Sequence, residues 1–420
     1  MQLKICRGLV LLALLALPGW RGGELGAEEP QRVAAIVSTY YHNSHADLIV
    51  GRLLQSHTLD GQGRFPNLKL VSLYIDQEPP PGRPENTRAL MAQHNVPIHK
   101  TIRDALELGT GKLAVDGVLL VAEHGQYPVS VTGQMVYPKR QMFAEIATVC
   151  ERSGRSVPVF VDKHLADNWR DAKWLYDEAA RLEIPLMAGS SVPQTWRFPA
   201  TDVPRDAQLR EIFMFSYHTL DAYGFHALET LQALAERRAG GETGIRRVQT
   251  VTGDGVWQAL EQQQFDRRLF DAALSRLKLP PPTEPPLREQ VPEPVLWRIE
   301  YEDGLLATVL TLNIAVKEWA AAWRDADGNI DSTLFWTQEF RPLGHFSFQV
   351  DGIDEFIHTG QPPWPAERTL LTSGLLDELL LSQRDGGQTR QTPHLKLTYR
   401  SDWNWKKPPD PPPDRPLNGE

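Results

Sequence analysis

Val159-Phe160-Val161-Asp162-Lys163-His164-Leu165 is the stretch whose reading decides the fold. Its first three residues are apolar with no polar alternate, as in a strand buried on both faces, and three ionisable residues follow at once. A helical pattern then runs from Trp169 to Leu182. A second short apolar strand, Leu186-Met187-Ala188, is introduced by Ile184-Pro185 and closed by Gly189. Strand, helix and strand in that order form a parallel unit whose sheet is covered by helices.

The alternation extends upstream. Val33 to Val37 reads as a strand, Ala46 to Leu54 as a helix, and Leu68 to Ile75 as a strand ending at Asp76. A proline-rich loop from Pro79 to Pro84 leads to a helix around Thr87 to His94, a short strand at Ile98 and a helix from Ile102 to Leu108. A strand from Val115 to Ala122 and a helix from Met142 to Arg152 follow. Residues 31–190 are therefore expected to form an α/β domain, a Rossmann-like doubly wound parallel sheet. Downstream, Val248 to Thr252, Leu296 to Tyr301, Leu305 to Leu312 and His345 to Val350 read as longer strands, with Asp303-Gly304 as a hairpin turn. That texture predicts a C-terminal α+β domain with a mostly antiparallel sheet over residues 191–402. The prolines from Pro280 to Pro286 form a loop within it, and the proline-rich tail, residues 403–420, is expected to be disordered.

The bulk numbers agree with two globular domains: 420 residues, 41% hydrophobic and 23% charged. A net charge of -9, with no run of Lys and Arg, excludes a nucleic-acid binder. At the start, Lys4 and Arg7 precede an apolar run from Gly8 to Pro18, and Ala27 stands before Glu28. Residues 1–27 thus predict a cleaved signal peptide, an exported (periplasmic or extracellular) protein and no stable membrane span after cleavage, the apolar run being short for a bilayer. Of the two cysteines, Cys6 lies in that leader, so Cys150 is alone in the mature chain. Neither a disulfide nor a thiolate metal cage is available, and Cys150 reads as a small buried apolar residue.

In open parallel sheets, ligands bind beyond the carboxyl ends of the strands. Here those ends carry Ser38-Thr39-Tyr40-Tyr41-His42-Asn43-Ser44-His45, then Asp76, then Glu123-His124-Gly125, then Asp162-Lys163-His164. Helix capping explains Ser38 or Asn43 but not His42, His45, His124 and His164, because histidine is not a favoured cap. Two chemistries compete for the cluster. A strand-end lysine, Lys163, in a cleft can orient a substrate hydroxyl or move its proton. Alternatively, neutral imidazoles with carboxylates suit a divalent metal, with His42, His45 and His164 as its ligands.

These segments resemble the Gfo/Idh/MocA family of NAD(P)-dependent sugar and polyol oxidoreductases, across nearly the whole mature chain. Val159 to Leu165 followed by Ile184 to Gly189 matches the family's strand ending in Glu-Lys-Pro, then helix, then apolar strand. Asp162 stands for the glutamate and His164 for the proline. The resemblance places Lys163 on the family's catalytic lysine. Tyr223 to Leu231 is similar to its His-x-x-Asp helix, which puts His226 on the catalytic histidine and Glu229 on the following acid. Val115 to Leu120 looks like the strand before the nicotinamide-side loop, and Ile353 to Gly360 and Leu381 to Gly387 are similar to the closing segments of the second domain. The resemblance makes NAD or NADP the cofactor, with Ser38, Tyr40, Asn43, Asp76, Glu123 and His124 at the cofactor positions. The pattern departs from the family at the first turn, where Gly-x-Gly-x-x-Gly is replaced by Ser38, Tyr40 and Asn43. The glycines let backbone approach the pyrophosphate, and a tyrosine ring stands in its place. It departs again at Ala222, where the family has an aspartate four residues before the histidine; Asp221 is adjacent. Asp76 keeps the acid expected near a ribose hydroxyl.

Three functions follow as expectations. The first is an oxidoreductase-type enzyme on a carbohydrate or polyol. The second is a metal-assisted or cofactor-free carbohydrate enzyme using the strand-end His, Asp and Glu residues. The third is a non-catalytic carbohydrate-binding module, with Trp169, Trp174, Trp196, Trp257, Trp403 and Trp405 as stacking surfaces; Trp169 and Trp174 read better as packing. The partner is a small carbohydrate-like ligand, and the C-terminal sheet admits a homo-oligomer.

Overall fold

The computed structural model describes residues 29–83, 87–278, 286–291, 293–313 and 315–412. The expected leader, residues 1–27, the prolines from 280 to 285 and the end of the tail, 413–420, lie outside them. Six parallel strands form the first sheet: β1 (Gln31–Val37), β2 (Leu68–Ile75), β3 (Ile98–His99), β4 (Gly117–Val121), β5 (Val159–Asp162) and β6 (Leu186–Gly189). Their order, β3-β2-β1-β4-β5-β6, reverses between β1 and β4, which opens a crevice above those two strands. The runs from Val33 to Val37 and from Val118 to Val121 are removed from water, so the strands carry no polar alternation.

One face of this sheet is covered by α4 (Ile102–Glu107), α5 (Lys139–Ser153) and α6 (Trp169–Arg181), whose Phe143, Ile146, Cys150, Ala172 and Leu175 join its core. The other face receives α1 (His45–Ile49), α2 (Arg52–Gln55) and α3 (Thr87–Gln93). Side-chain caps fix the helix starts: Ser44 Oγ accepts from Asp47 N, Thr101 from Asp104 N and Asn168 from Asp171 N.

The second sheet has eight strands: β7 (Trp196–Phe198), β8 (Leu209–Ser216), β9 (Ile245–Thr252), β10 (Val295–Tyr301), β11 (Leu306–Thr311), β12 (Trp319–Asp325), β13 (Ile330–Trp336) and β14 (Arg390–Gln391). In the order β14-β9-β10-β11-β8-β12-β13-β7, every neighbour is antiparallel except β8 with β11. Gly304, at φ +88, makes the expected turn between β10 and β11. The helices of this half are α7 (Phe225–Ala235), α8 (Asp254–Glu261), α9 (Arg267–Leu274), α10 (Leu287–Gln290), α11 (His345–Thr359) and α12 (Ala366–Arg384). Among the described residues no helix is long and apolar enough to cross a membrane.

Three expectations are corrected. His345 to Val350 is not a strand but the start of α11. Its local alternation belongs to a longer helical repeat, in which Phe346, Val350, Ile353, Phe356 and Ile357 bury one stripe against the first sheet. The strands β8, β12 and β13 were not read: Ala320-Ala321-Ala322 favours helix by propensity, and burial in mid-sheet overrides it. The tail is not disordered over residues 403–412. Trp403 packs edge-on against Trp364 at 6.0 Å, Trp405 Nε1 donates to Thr195 O at 2.9 Å, and Pro409 O accepts from Trp196 Nε1 at 2.6 Å.

Candidate active site

The carboxyl ends of β1, β4, β5 and β6 meet the start of α7 in one buried polar cluster. Its centre is Glu123, just past β4, with a lysine on each oxygen. Lys139 Nζ lies 2.6 Å from Oε1 and Lys163 Nζ 3.2 Å from Oε2. Burial pushes the Glu123 carboxyl up, but the two ammonium groups outweigh it and hold the acid well below its ordinary range. Burial likewise opposes the charge on Lys163, and the Glu123 and Asp162 carboxylates outweigh it, raising its pKa. Lys163 is therefore an ammonium ion at neutral pH.

The backbone that presents these groups is unusual. Lys163 adopts φ +57 and His124 φ +68, the left-handed region that non-glycine residues enter at a cost of about 1–3 kcal/mol, mostly at functional sites. Lys163 N donates to Gly189 O at 3.3 Å. Gly189 itself, at φ +125, leaves no room for a side chain: a Cβ there would stand 2.6 Å from Glu229 Oε2.

Lys139, the first residue of α5, also donates to Asp162 O at 2.9 Å and His164 O at 2.8 Å, and lies 3.2 Å from His164 Nδ1. An ammonium has only hydrogens to offer, so Nδ1 of His164 is the acceptor nitrogen and the proton sits on Nε2. That nitrogen faces Asp221 Oδ1 at 3.9 Å. Burial, then Lys139, hold the His164 pKa at about 3, so the ring is neutral. Asp221 sits in a π-helical turn, Leu220–Gly224, in which Gly224 N reaches back five residues to Thr219 O at 3.1 Å. That turn holds one residue more than an α-helical one, and Asp221 within it faces the cluster at His164. Asp221 Oδ2 accepts from Met135 N at 3.0 Å, while the buried Oδ1 has no hydrogen-bond partner among the described residues.

Two further imidazoles complete the cluster. His45 opens α1, and its Nδ1 is 2.6 Å from Asp162 Oδ2. The His45 ring stands 5.3 Å from His124, 5.0 Å from Phe346 and 6.5 Å from His226, the last nearly parallel at 26°. His226 Nδ1 lies 2.6 Å from Ser190 Oγ, and burial, followed by Lys163 and His45, holds its pKa well below the ordinary value. Glu229, one turn beyond His226, does not join the reacting face. It accepts from Thr372 Oγ1 at 2.6 Å and from Ser190 N at 3.4 Å, and so braces the serine that holds His226.

The metal reading is corrected by this geometry. His42 is 43% exposed and turned toward Asp47 at 4.0 Å, His45 is bound to Asp162, and Lys139 occupies Nδ1 of His164. Among the described residues no three His, Cys, Asp or Glu side chains are placed to hold one metal ion. The stacking-surface reading fares no better. Trp257 and Trp196 are buried, Trp169 packs on His394, Trp174 lies beneath the Arg140 guanidinium, and Trp403 and Trp405 pin the tail.

A dinucleotide in a Rossmann-like sheet lays its pyrophosphate on the amides of the first turn. Here those amides are engaged: Asn43 N donates to Asp47 Oδ2 at 2.9 Å, Asp47 N to Ser44 Oγ at 3.2 Å and Ser44 N to Tyr41 O at 2.9 Å. The Tyr40 ring is 1% exposed, with its hydroxyl 3.5 Å from Asp47 Oδ1, so a ring and a carboxylate hold the phosphate position. The loops after β1, β2 and β4 are also tied together over the crevice. Ser38 Oγ donates to Glu123 O at 2.7 Å and contacts His124 O at 2.9 Å. Gln77 N donates to Ser38 O at 2.8 Å, and the Gln77 amide exchanges two bonds with the backbone of Gln126. Both oxygens of Asp76 accept tyrosine hydroxyls, from Tyr74 at 2.9 Å and Tyr127 at 2.8 Å, which leaves neither for a ribose. The residues present do not fit a dinucleotide laid along this turn.

Sequence reading found Glu123, Lys163, His45, His164 and His226 but missed Lys139, Ser190 and the role of Asp162 toward His45. For Lys139 a signal exists: it follows Tyr137-Pro138 at the first position of a helix, where a cation opposes the helix dipole and needs a buried anion to explain it.

No family model matches this chain, and no curated protein matches it. Solved structures do. GenD2 from gentamicin A biosynthesis, crystallised with NAD, shares 13% identity at a TM-score of 0.56, covering 87% of this chain and 98% of its own. An NAD-binding oxidoreductase from Klebsiella pneumoniae shares 14% at 0.51, covering 87% and 99%. The myo-inositol dehydrogenase of Lactobacillus casei, solved with NAD(H) and myo-inositol, shares 9% at 0.53, covering 86% and 96%. At these identities the likeness is one of fold: a parallel Rossmann-like sheet joined to a mostly antiparallel eight-stranded one, as the Gfo/Idh/MocA resemblance implied.

Proposed function

We propose that this chain is an exported enzyme acting on a carbohydrate or polyol, on the fold of an oxidoreductase, with Lys163 at the reacting oxygen and His226 beside it. One observation carries this reading. A charged lysine and two oriented, neighbouring imidazoles converge where the strands of the first sheet end, with Glu123, Asp162 and Ser190 as their supports. The Lys163 ammonium can donate to a hydroxyl or carbonyl oxygen, and the imidazoles of His45 and His226 beside it can exchange protons with a bound ligand. The likeness in fold to a dehydrogenase solved with myo-inositol supports a polyhydroxylated ligand. Lys4, Arg7 and the apolar run after them support export.

A second reading, an NAD(P)-dependent dehydrogenase, draws on the likeness to GenD2 in complex with NAD. It requires the loops after β1, β2 and β4 to part. Calorimetric titration separates the two. We expect sugar or polyol binding that weakens at least about tenfold in Lys163→Ala, given the worth of a charge-assisted bond, and no micromolar binding of NAD or NADP. Micromolar dinucleotide binding would establish the second reading. Absence of any carbohydrate binding would sink both.

A further inference from the structure

The first-turn loop that displaces a dinucleotide delivers a catalytic-type group in its place. We propose that His45, held by Asp162, and His226, held by Ser190, form an acid–base pair that moves a proton on carbon in an α-hydroxy carbonyl carbohydrate, with the Lys163 ammonium on the carbonyl oxygen and no redox cofactor. The inference rests on the carbohydrate reading above and specifies its chemistry.

The argument begins with orientation. Asp162 is an acceptor, so Nδ1 of His45 carries the hydrogen in their 2.6 Å bond and Nε2 is left as a basic nitrogen. Ser190 Oγ already accepts the Val192 amide at 3.0 Å, and its own hydrogen is available to His226 Nδ1 at 2.6 Å. With that hydrogen given to Nδ1, the proton of the neutral His226 ring lies on Nε2. Among the described residues neither Nε2 is hydrogen-bonded to protein. The two rings, one from α1 on the first sheet and one from α7 beside the second, thus present one base and one acid 6.5 Å apart between ring centroids. A carboxylate behind one imidazole and a hydroxyl behind the other is the asymmetry that a proton relay uses.

The chemistry then follows from what the site lacks a seat for. Oxidising a simple polyol needs a hydride acceptor, and the dinucleotide track is filled by Tyr40, Asp47 and the Gln77–Gln126 bonds. A sugar that already carries a carbonyl needs none. His45 Nε2 removes the proton from the carbon next to the carbonyl, and the C–H electron pair becomes a C=C bond as the C=O pair moves onto oxygen. The Lys163 ammonium, fixed by Glu123, stabilises that enediolate oxygen. The neutral His226 ring gives its Nε2 proton to carbon and is left as an imidazolate, which solvent reprotonates while His45 returns its extra proton to solvent, so atoms, charges and electrons balance with no oxidant. Asp221, which faces His164 at the edge of the cluster, also lines a cavity of about 620 Å³ with His218, Thr311, Asn313 and Gln383.

The test is solvent exchange. The dialysed full chain is incubated in D2O with D-glucose, D-xylose, D-fructose, D-glucuronate or D-galacturonate, and the signal of the hydrogen next to the carbonyl is followed by proton NMR. We expect deuterium uptake into at least one of these and none into sorbitol or myo-inositol. The rate should fall at least about a hundredfold in His45→Asn and in His226→Asn, the usual worth of a general acid or base. Asp162→Asn should slow exchange less while sugar binding is kept, as expected of a positioning residue. Thermal melts of the variants identify any that fail to fold; His45 and His226 lie in different helices, so the two substitutions report independently. Exchange that persists unchanged in His45→Asn overturns the proposal, as does turnover that appears only with added NAD. Sugar binding without any exchange overturns it while leaving the carbohydrate reading intact; absence of binding removes that reading as well.

Discussion

The Lys139 ammonium lies 2.6 Å from Glu123 Oε1, with the lysine side chain wholly buried and the glutamate 3% exposed. Lys163 shares the same carboxylate from its other oxygen but, among the described residues, reaches no other acceptor of comparable closeness. The two lysines therefore have different duties, one holding the cluster and one facing the reaction. Lys139 also donates to the Asp162 and His164 carbonyls, so its loss leaves those buried acceptors unpaired and Glu123 with the more distant Lys163 alone. Lys139→Met should accordingly destabilise the fold by about 3–5 kcal/mol in urea unfolding. Lys163→Met leaves Glu123 paired with Lys139 and should cost only about 1–2 kcal/mol while abolishing function. Equal stability losses in the two variants would show that the division of labour is wrong.

Acid should unfold this protein from an unusually high pH. Burial first, then His45 for His124 and Lys139 for His164, push both pKa values down to about 3. The unfolded chain takes up these protons below about pH 6.5 and the native state does not, so stability falls as pH drops from there toward 3. At pH 5 the loss is about 2 kcal/mol for each such ring. Glu123 acts in the same direction lower down: its depressed pKa stabilises the fold above about pH 4.3, and that stability is lost as the carboxyl protonates. Urea midpoints at pH 7.5 and 5 test this, and His124→Asn should recover one ring's share. A flat profile over that interval would contradict the neutral, buried state of these rings.

Gly189→Ala should be costly although it adds one methyl group. The position has φ +125, and the new Cβ would meet Glu229 Oε2 at 2.6 Å and Thr369 Oγ1 at 2.9 Å. Strain and overpacking together predict about 2–4 kcal/mol by chemical denaturation. Activity should drop with it, because Gly189 O anchors Lys163 N. An unchanged unfolding midpoint would mean that the β6 end has more freedom than its packing indicates.

The docked tail carries stability and not chemistry. Trp403 packs on Trp364 and lies 4.9 Å from the buried Arg368 guanidinium. Trp403→Ala is expected to lower stability by about 2 kcal/mol, below the range for a fully buried tryptophan because the side chain is only partly buried. Carbohydrate binding measured by calorimetry should be unchanged; a loss of binding at constant stability would place the tail in the site.

The sheet was legible because the signal for it is local. An apolar run with no polar alternate, such as Val159 to Val161, marks a doubly buried strand from its own residues, and a polar residue just past such a strand lies at the ligand-facing end of the sheet. Lys163, Glu123 and His45 were found in that way; His226 came only from the resemblance of its helix to a family pattern. The same local pattern misread His345 to Val350, where a short alternation was embedded in a helical stripe, and the tail, whose composition says nothing of the tryptophan contacts that hold it.

What only the tertiary structure decided is which of these groups touch. His45 and Asp162 are 117 residues apart, Lys139 and Glu123 are 16 apart across a loop, and a single π-helical turn sets the face of Asp221. Whether four strand-end histidines bind a metal, fill a dinucleotide seat or pair with carboxylates depends on rotations of a few ångströms at loop ends. Hydrophobic periodicity does not encode those rotations, because it fixes where a strand is buried and not where its last side chain points. The sequence determined a two-sheet scaffold with ionisable residues along one edge; packing turned that edge into a lysine–glutamate–lysine centre flanked by two supported imidazoles.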